Sequence, residues 1–337
     1  MVFVTGGTGL VGSHLIFDLI KEGKEIRASR RPSSNIKTLY DLAPYYGISS
    51  EQLDAIEWVE VALDDIIGLE EAMEGCTWVF HCAAMVSFVP GEKDALFDAN
   101  IVGTQNLINA ALNAHIKKLC YVSSTAAIGK GKHQNVVTEN TKWNDGNKNS
   151  NYGISKHYAE REVWRGSQEG LDVVIINPCV IVGPGDWGKS STNLFETVWN
   201  GLKYYSKGAN AFIDVRDVSR AMLQLMKSEI KQERFLLIGE NMPYKAFFDQ
   251  VATALNQSKP STYASPILSQ IAWRFEWLKW KLTGKTPLIT QETVRSAREV
   301  TEYSAAKIKS ALHFEFTPIS KTIQHTATIF LDQKKLN

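Results

Sequence analysis

The sequence predicts an α/β fold, a doubly wound parallel sheet with a smaller, mostly helical C-terminal domain, and three observations carry that reading. Through the first half, short apolar runs alternate with segments of helical period, as strands and helices do when a parallel sheet is covered on both faces. A glycine-rich stretch, Thr5-Gly6-Gly7-Thr8-Gly9-Leu10-Val11-Gly12, follows the first apolar run and opens the first helical segment. After Pro178 the alternation breaks down, and from Asn241 the chain is mostly helical in period and rich in aromatics.

Strands are predicted at 2–5, 25–29, 56–61, 78–82, 119–123 and 173–178, with helices at 11–21, 66–73, 97–114 and 152–168 between them. The stretch Gly183-Pro184-Gly185-Asp186-Trp187-Gly188 reads as a loop, followed by an amphipathic helix near 194–204. A return strand at 211–214, a helix at 218–226 and a last apolar strand at 234–238 follow. The expected organisation is a sheet domain of 1–180 and 209–240, with a discontinuous second domain of 181–208 and 241–337.

Composition narrows the function classes. The chain has 337 residues, 44% of them hydrophobic and 22% charged, which is enough for one large α/β unit with an appendage. A net charge of +1 gives no electrostatic reason to expect nucleic acid or an anionic membrane surface as a partner. Cys76, Cys82, Cys120 and Cys179 lie far apart, with no ligand-like spacing. They read as small core residues of a reducing compartment, and no metal is expected. Strand-like residues lead directly into the glycine loop, leaving no room for a leader, and no run is long and apolar enough to span a bilayer. A cytoplasmic location is the expectation.

The glycine loop suits a dinucleotide. Gly6, Gly9 and Gly12 meet three needs: a tight turn, backbone close to a pyrophosphate, and close helix–strand packing. The N-terminus of the following helix would hold the phosphate charge. The nicotinamide cofactor NAD calls for a carboxylate at the end of the second strand, to bond the ribose 2′-hydroxyl. This chain has Ser29-Arg30-Arg31-Pro32-Ser33-Ser34 there. Two guanidiniums and adjacent hydroxyls suit a 2′-phosphate, so NADP is expected over NAD.

Tyr152-Gly153-Ile154-Ser155-Lys156 puts a phenol and an ammonium four residues apart, on one face of a helix. A nearby ammonium favours the phenolate, and such a pair is expected to shuttle a proton at neutral pH. The preceding strand ends in Tyr121-Val122-Ser123-Ser124, with a hydroxyl at the carboxyl edge where open α/β sheets bind ligands.

With these motifs the chain resembles the extended short-chain dehydrogenase/reductase family, a Rossmann-fold group, along nearly its whole length. The matching residues are Thr5–Gly12, His81-Cys82-Ala83-Ala84, Asn100 in Asn100-Ile101-Val102-Gly103-Thr104, Ser124, Tyr152 with Lys156, and the segment from Asn177 to Asp186. Within that family it is most similar to the dihydroflavonol-reductase-like and 3β-hydroxysteroid-dehydrogenase-like branches. The resemblance implies that Ser124 orients a carbonyl, that Tyr152 donates the proton and that Lys156 tunes it and holds ribose. It implies a cofactor lined by Gly6, Thr8, Gly9, Leu10, Val11, Gly12, Ala83 and Ala84 and covered by Pro178, Val180 and Ile181. Asn100 would support the strand and helix around the site, or simply start a helix. His81 reads as a satisfied core histidine. Arg31 matches the phosphate-binding arginine of dihydroflavonol-reductase-like members, and Arg30 would stack on adenine. One departure stands out. The resemblance leads to an aspartate after the third strand for adenine, whereas Ala62-Leu63 occupy that place, leaving Asp64, Asp65 or backbone groups.

The substrate class is read partly from what is missing. Sugar-nucleotide dehydratases of this family carry an acidic pair after the catalytic hydroxyl, and Thr125-Ala126 stand there instead. Aromatics of the second domain (Trp187, Phe195, Trp199, Tyr204, Tyr205, Phe247, Phe248, Trp273, Phe275, Trp277 and Trp280) would suit an apolar or aromatic aldehyde or ketone, or would form the domain's own core. The Trp-rich segment 271–282 reads as a lid or domain helix, with a membrane-surface helix as the other reading. The expected activity is NADP-dependent reduction of a small-molecule carbonyl to an alcohol. An NAD-dependent sugar-nucleotide epimerase is the alternative, and a homodimer is left open.

Overall fold

The computed structural model describes residues 1–89, 91–129, 136–144, 149–284, 287 and 289–336. Seven parallel strands form the central sheet: β1 (Val2–Thr5), β2 (Ile26–Arg30), β3 (Glu57–Glu60), β4 (Trp78–His81), β5 (Lys118–Val122), β6 (Asp172–Pro178) and β7 (Glu233–Leu237). Their order across the sheet is β7-β6-β5-β4-β1-β2-β3. The chain therefore builds outward from β1 in one direction and then from β4 in the other, leaving a crevice above the carboxyl ends of β1 and β4. Register is tight along this seam, with Val2 opposite Trp78 and Thr5 opposite His81.

The inner strands are largely apolar because both faces are covered. On one face Val4, Phe80, Cys120 and Ile176 pack with the helix Leu10–Lys21 (α1) and the helix Val215–Lys227. On the other, Phe3, Val79, Tyr121 and Ile175 pack against Leu69, Leu107, Ala159 and Val163. The predicted strands and most predicted helices appear within a few residues of their expected ends, as helix ends usually do.

Two helices differ from expectation in an informative way. The predicted helix 97–114 is interrupted: Lys93–Phe97 and Gly103–Asn113 are α-helical, and Asp98–Val102 between them is a π-turn around Asn100. The predicted helix 194–204 stops at Trp199, and Gly201 turns the chain at φ +86°.

A second, three-stranded sheet is assembled from Val180–Val182, Ala209–Asp214 and Glu240–Pro243, the middle strand pairing with both others. Helices Asn193–Trp199, Tyr244–Ala254 and Ile319–Leu336 close over it around Phe195, Phe212, Phe247 and Phe330. The strand Glu240–Pro243 lies where only helix was expected; four residues ending in proline carry no strand signal of their own. All four cysteines are free thiols. Among the described residues no group of histidine, cysteine and carboxylate side chains could hold a metal, and no helix is long and apolar enough to cross a membrane.

Candidate active site

The glycine loop closes on itself at the head of α1. Gly6 adopts φ +68°, and the Gly9 N–H donates to the Gly6 carbonyl at 2.9 Å. A Cβ on Gly12 would lie 2.2 Å from that carbonyl oxygen, and one on Gly6 would lie 2.7 Å from the Ala83 nitrogen. Only glycine fits either position, and the contact brings Ala83 from the end of β4 to the loop. Helix α1 begins with Gly9 as its N-cap, with no side-chain cap and no carboxylate in its first turn. Its leading N–H groups are therefore open to an anion, and the partly exposed Thr8, Gly9 and Leu10 border them. Beneath Gly7 lies the Trp58 ring, whose buried Nε1 has no partner among the described residues. This cradle, too tight for side chains and headed by the open N–H groups of α1, fits a dinucleotide diphosphate.

At the carboxyl end of β5, Ser124 accepts a hydrogen bond from the Ala126 N–H at 3.1 Å, leaving its own O–H free to donate. The helix Asn151–Gln168 is N-capped by Ser150, which accepts from the Gly153 N–H at 3.0 Å. That cap sets Tyr152 in the first turn, on the side of the Ser124 hydroxyl. Burial raises the Tyr152 pKa above the ordinary phenol value, and the nearby Ser124 hydroxyl acts in the opposite direction.

Lys156 lies one turn further on. Its side chain is buried, its Nζ donates to the Val122 carbonyl at 2.7 Å, and it lies 4.4 Å over the Tyr121 ring. Burial lowers its pKa to about 7, with Glu160 acting in the opposite direction. Its contacts therefore anchor it at the carboxyl end of β5.

Behind Ser124 stands a network that motif reading missed. Glu160, buried, accepts from the Ser123 hydroxyl at 2.8 Å, from Asn177 at 2.9 Å and from Arg234 at 2.9 Å. Asn177 also donates to the Ser124 carbonyl at 3.0 Å. The signal was present: Glu160 follows Tyr152 and Lys156 at the same four-residue step and shares their face. Asn100, in its π-turn, bonds the Met85 backbone through both amide atoms (2.7 and 2.9 Å) and donates to Ser155 at 2.9 Å. It joins the segment after β4 to the helix bearing Tyr152, rather than capping a helix. His81 lies between Thr5 (2.8 Å) and Thr104 (3.1 Å), fully buried, with its pKa lowered to about 3 by burial. It is a neutral core histidine.

The two arginines after β2 are not equivalent. Arg30 pairs with Glu60 at 2.8 Å, directly across from it on β3. The Arg31 backbone forms a turn with Ser34, and its exposed guanidinium engages no described residue. At the end of β3, Ala62 is exposed, and Leu63 packs against Gly103 while its carbonyl accepts from Asn106 at 2.9 Å. Asp65 caps the helix Ile66–Met73 by accepting from Gly68 at 2.9 Å, so its carboxylate is already engaged, whereas Asp64 is exposed.

On the opposite wall, Pro178 ends β6 buried, and the half-buried Val180 and Ile181 enter the second sheet opposite Phe212 and Ile213. Gly185 approaches Leu10 of α1, joining this wall to the glycine loop. Most of the aromatics considered for a substrate wall pack on each other instead. Trp187 and Trp199 meet Phe330 at 4.9 and 5.7 Å, and Phe247 stacks on Phe212 at 4.1 Å. The aromatic beside the phenol is Phe88, its ring 6.0 Å from that of Tyr152.

Known proteins resemble this chain in sequence and fold. A Synechocystis protein carrying the provisional name dihydroflavonol 4-reductase is 30% identical, over 95% of this chain and 92% of its own length. Sterol demethylase protein B of Methylococcus capsulatus is 29% identical, over 79% of this chain and 78% of its own. Among solved structures, that of gox2253 superposes with a TM-score of 0.81 at 26% identity, covering 99% of this chain and 98% of the other. UDP-glucose 4-epimerase of Thermotoga maritima has the same fold, with a TM-score of 0.77 at 21% identity over 100% and 99% of the two chains. The family model for the NAD dependent epimerase/dehydratase family matches residues 2–239, and the chain belongs to that family.

Proposed function

We propose that this protein is an NADP-dependent reductase of an apolar or aromatic aldehyde or ketone. The observation that carries the reading is the placement of the buried Tyr152 phenol near the Ser124 hydroxyl at the sheet's carboxyl edge, on the same edge as the glycine cradle. A phenol whose pKa is raised keeps its proton at neutral pH, the form a proton donor in carbonyl reduction needs.

The nicotinamide, when bound, supplies the hydride. Gly6, Thr8, Gly9, Leu10, Val11 and Gly12 hold the diphosphate, with Ala83 and Ala84 along one side and Pro178, Val180 and Ile181 on the other. Arg31, whose guanidinium engages none of the described residues, takes the 2′-phosphate. Arg30 is neutralised by Glu60 and orients the turn rather than binding charge. Ser124 donates a hydrogen bond to the carbonyl oxygen, and Tyr152 transfers its proton to that oxygen as the carbon accepts hydride, leaving an alcohol. Lys156, fixed on the Val122 carbonyl, presents its remaining N–H groups toward the ribose. Phe88, exposed beside the phenol, gives the carbonyl an apolar wall.

The relatives' names agree with a reductase, and Thr125-Ala126 after Ser124 leave no carboxylate to drive elimination. Purified protein should oxidise NADPH against a panel of aromatic and alicyclic aldehydes and ketones. An epimerase reading would take its place if the protein copurified with non-exchanging NAD and converted a UDP-sugar while every carbonyl of the panel stayed untouched.

A further inference from the structure

The helix Pro266–Thr283 has no buried residue along its 18-residue length. Its apolar side chains are not scattered. Ile267, Leu268, Ile271, Phe275, Leu278 and Leu282 recur at steps of three and four, and at 3.6 residues per turn they fall within roughly 100° of arc. All six face solvent, with Ile267 at 74%, Phe275 at 66% and Leu282 at 77% exposure. Single exposed apolar residues are ordinary, but an aligned row of six is not. The charges are also arranged. Arg274 and Lys281 border the row on one side and Lys279 on the other, while the one carboxylate, Glu276, lies on the far face paired with Lys279. The half-buried Trp273 and Trp280 occupy the inner side, and Trp280 packs on Gly91.

We propose that this helix is a docking surface for an anionic lipid bilayer, lying in the interface with its apolar row inserted and its cations at the headgroups. Interfacial helices combine an apolar face with flanking lysine and arginine in this way. A second copy of the chain fits less well, because a two-fold pairing of this face would set the same cations against one another. The placement has a consequence that rests on the proposed reductase reading. Gly91 follows the segment carrying Phe88, which touches Tyr152, and Glu292 on the next helix accepts from the Asn151 backbone at 3.3 Å. The docked helix thus sets the mouth of the cleft at the bilayer surface, where an apolar carbonyl dissolved in lipid would enter.

Sedimentation of the full chain with vesicles tests the docking without cofactor or carbonyl, so its outcome is separate from that of the reductase assay. The protein should pellet with phosphatidylcholine vesicles containing about one-third phosphatidylglycerol, less with phosphatidylcholine alone, and less again at high salt. Phe275→Glu should cut the bound fraction at least ~10-fold, and Lys279→Glu with Lys281→Glu should remove the anionic preference. Circular dichroism matching the wild type shows that each variant is folded. Absence of pelleting with anionic vesicles, or wild-type pelleting by Phe275→Glu, overturns the proposal. So does a dimer in sedimentation equilibrium that Phe275→Glu dissociates in a protein that ignores vesicles, which would give the face to a second copy.

Discussion

At the carboxyl edge of the sheet, each candidate group is a polar atom held on a short tether from a buried strand or a capped helix start. Ser124 follows β5 by two residues, Ala83 follows β4 by two, and Tyr152 lies in the first turn of a helix capped by Ser150. In the C-terminal region the conspicuous residues are aromatic, and they divide into two populations with opposite surroundings. Trp187, Trp199, Phe247 and Phe330 belong to one buried cluster, whereas Phe275 and Trp277 face solvent. The same residue type is core in one place and surface in another a few turns away. Residue type therefore reports a role only where local backbone geometry also constrains it.

The largest effect should come from the first region. Tyr152→Phe removes the proposed proton donor, and kcat should fall by about 10²–10⁴-fold while NADPH affinity stays within a few-fold. Steady-state kinetics with fluorescence titration checks both halves. Retention of more than about a tenth of the wild-type kcat would remove Tyr152 from the donor's role.

The two aromatic populations should separate as sharply. Phe330→Ala opens a cavity beneath Trp187 and Trp199 and should cost about 3–5 kcal/mol of stability. Phe275→Ala, at an exposed position, should stay within about 0.5 kcal/mol of the wild type. Urea denaturation midpoints decide the matter. A large loss from Phe275→Ala would mean that the helix Pro266–Thr283 packs on something in solution.

The two arginines offer a finer comparison within the first region. Arg31→Ala should weaken NADPH binding by roughly 10- to 150-fold, the worth of one charge-assisted hydrogen bond, and leave NADH binding nearly unchanged. Arg30→Ala should matter less, since its charge is matched by Glu60. Equal NADPH and NADH affinities in the wild type would return both arginines to the solvated surface and remove NADP from the assignment.

Much of this was legible before any coordinates. Strand positions follow from apolar runs that a doubly covered parallel sheet requires, and the glycine loop follows from backbone distances only glycine allows. Three features were not legible, each for a physical reason. The π-turn at Asn100 exists because a side chain bonds Met85 and Ser155, which are distant in sequence, and no local periodicity encodes that. Glu160 sits at a helical step that marks surface ion pairs as readily as buried ones, and its burial depends on Ser123, Asn177 and Arg234 arriving from three other strands or strand ends. The contact of Lys156 with the Val122 carbonyl was not legible because the four-residue spacing specifies a face of the helix, not which acceptor takes the lysine's hydrogen bond.

The Lys156 geometry makes the subtlest prediction, one about pH. Its pKa is lowered to about 7 by burial, against an ordinary lysine near 10.4. Between those values the unfolded chain carries a proton on this side chain that the folded chain has released. Stability contributed by this group therefore rises with pH across that window, and below about 7, where both states are charged, the full cost of burying the ammonium remains. Cys82 and Tyr152, both raised by burial, act in the opposite direction at alkaline pH, so the wild-type curve alone is ambiguous. Lys156→Met keeps both of those groups and removes only the lysine, and the difference between the two denaturation curves isolates its contribution. The wild type should gain on the variant as pH rises from about 7 to about 9. Parallel curves would mean that the Val122 carbonyl and Glu160 stabilise the charged lysine as well as water does, and Lys156 would then be an ordinary ammonium held in place for the ribose.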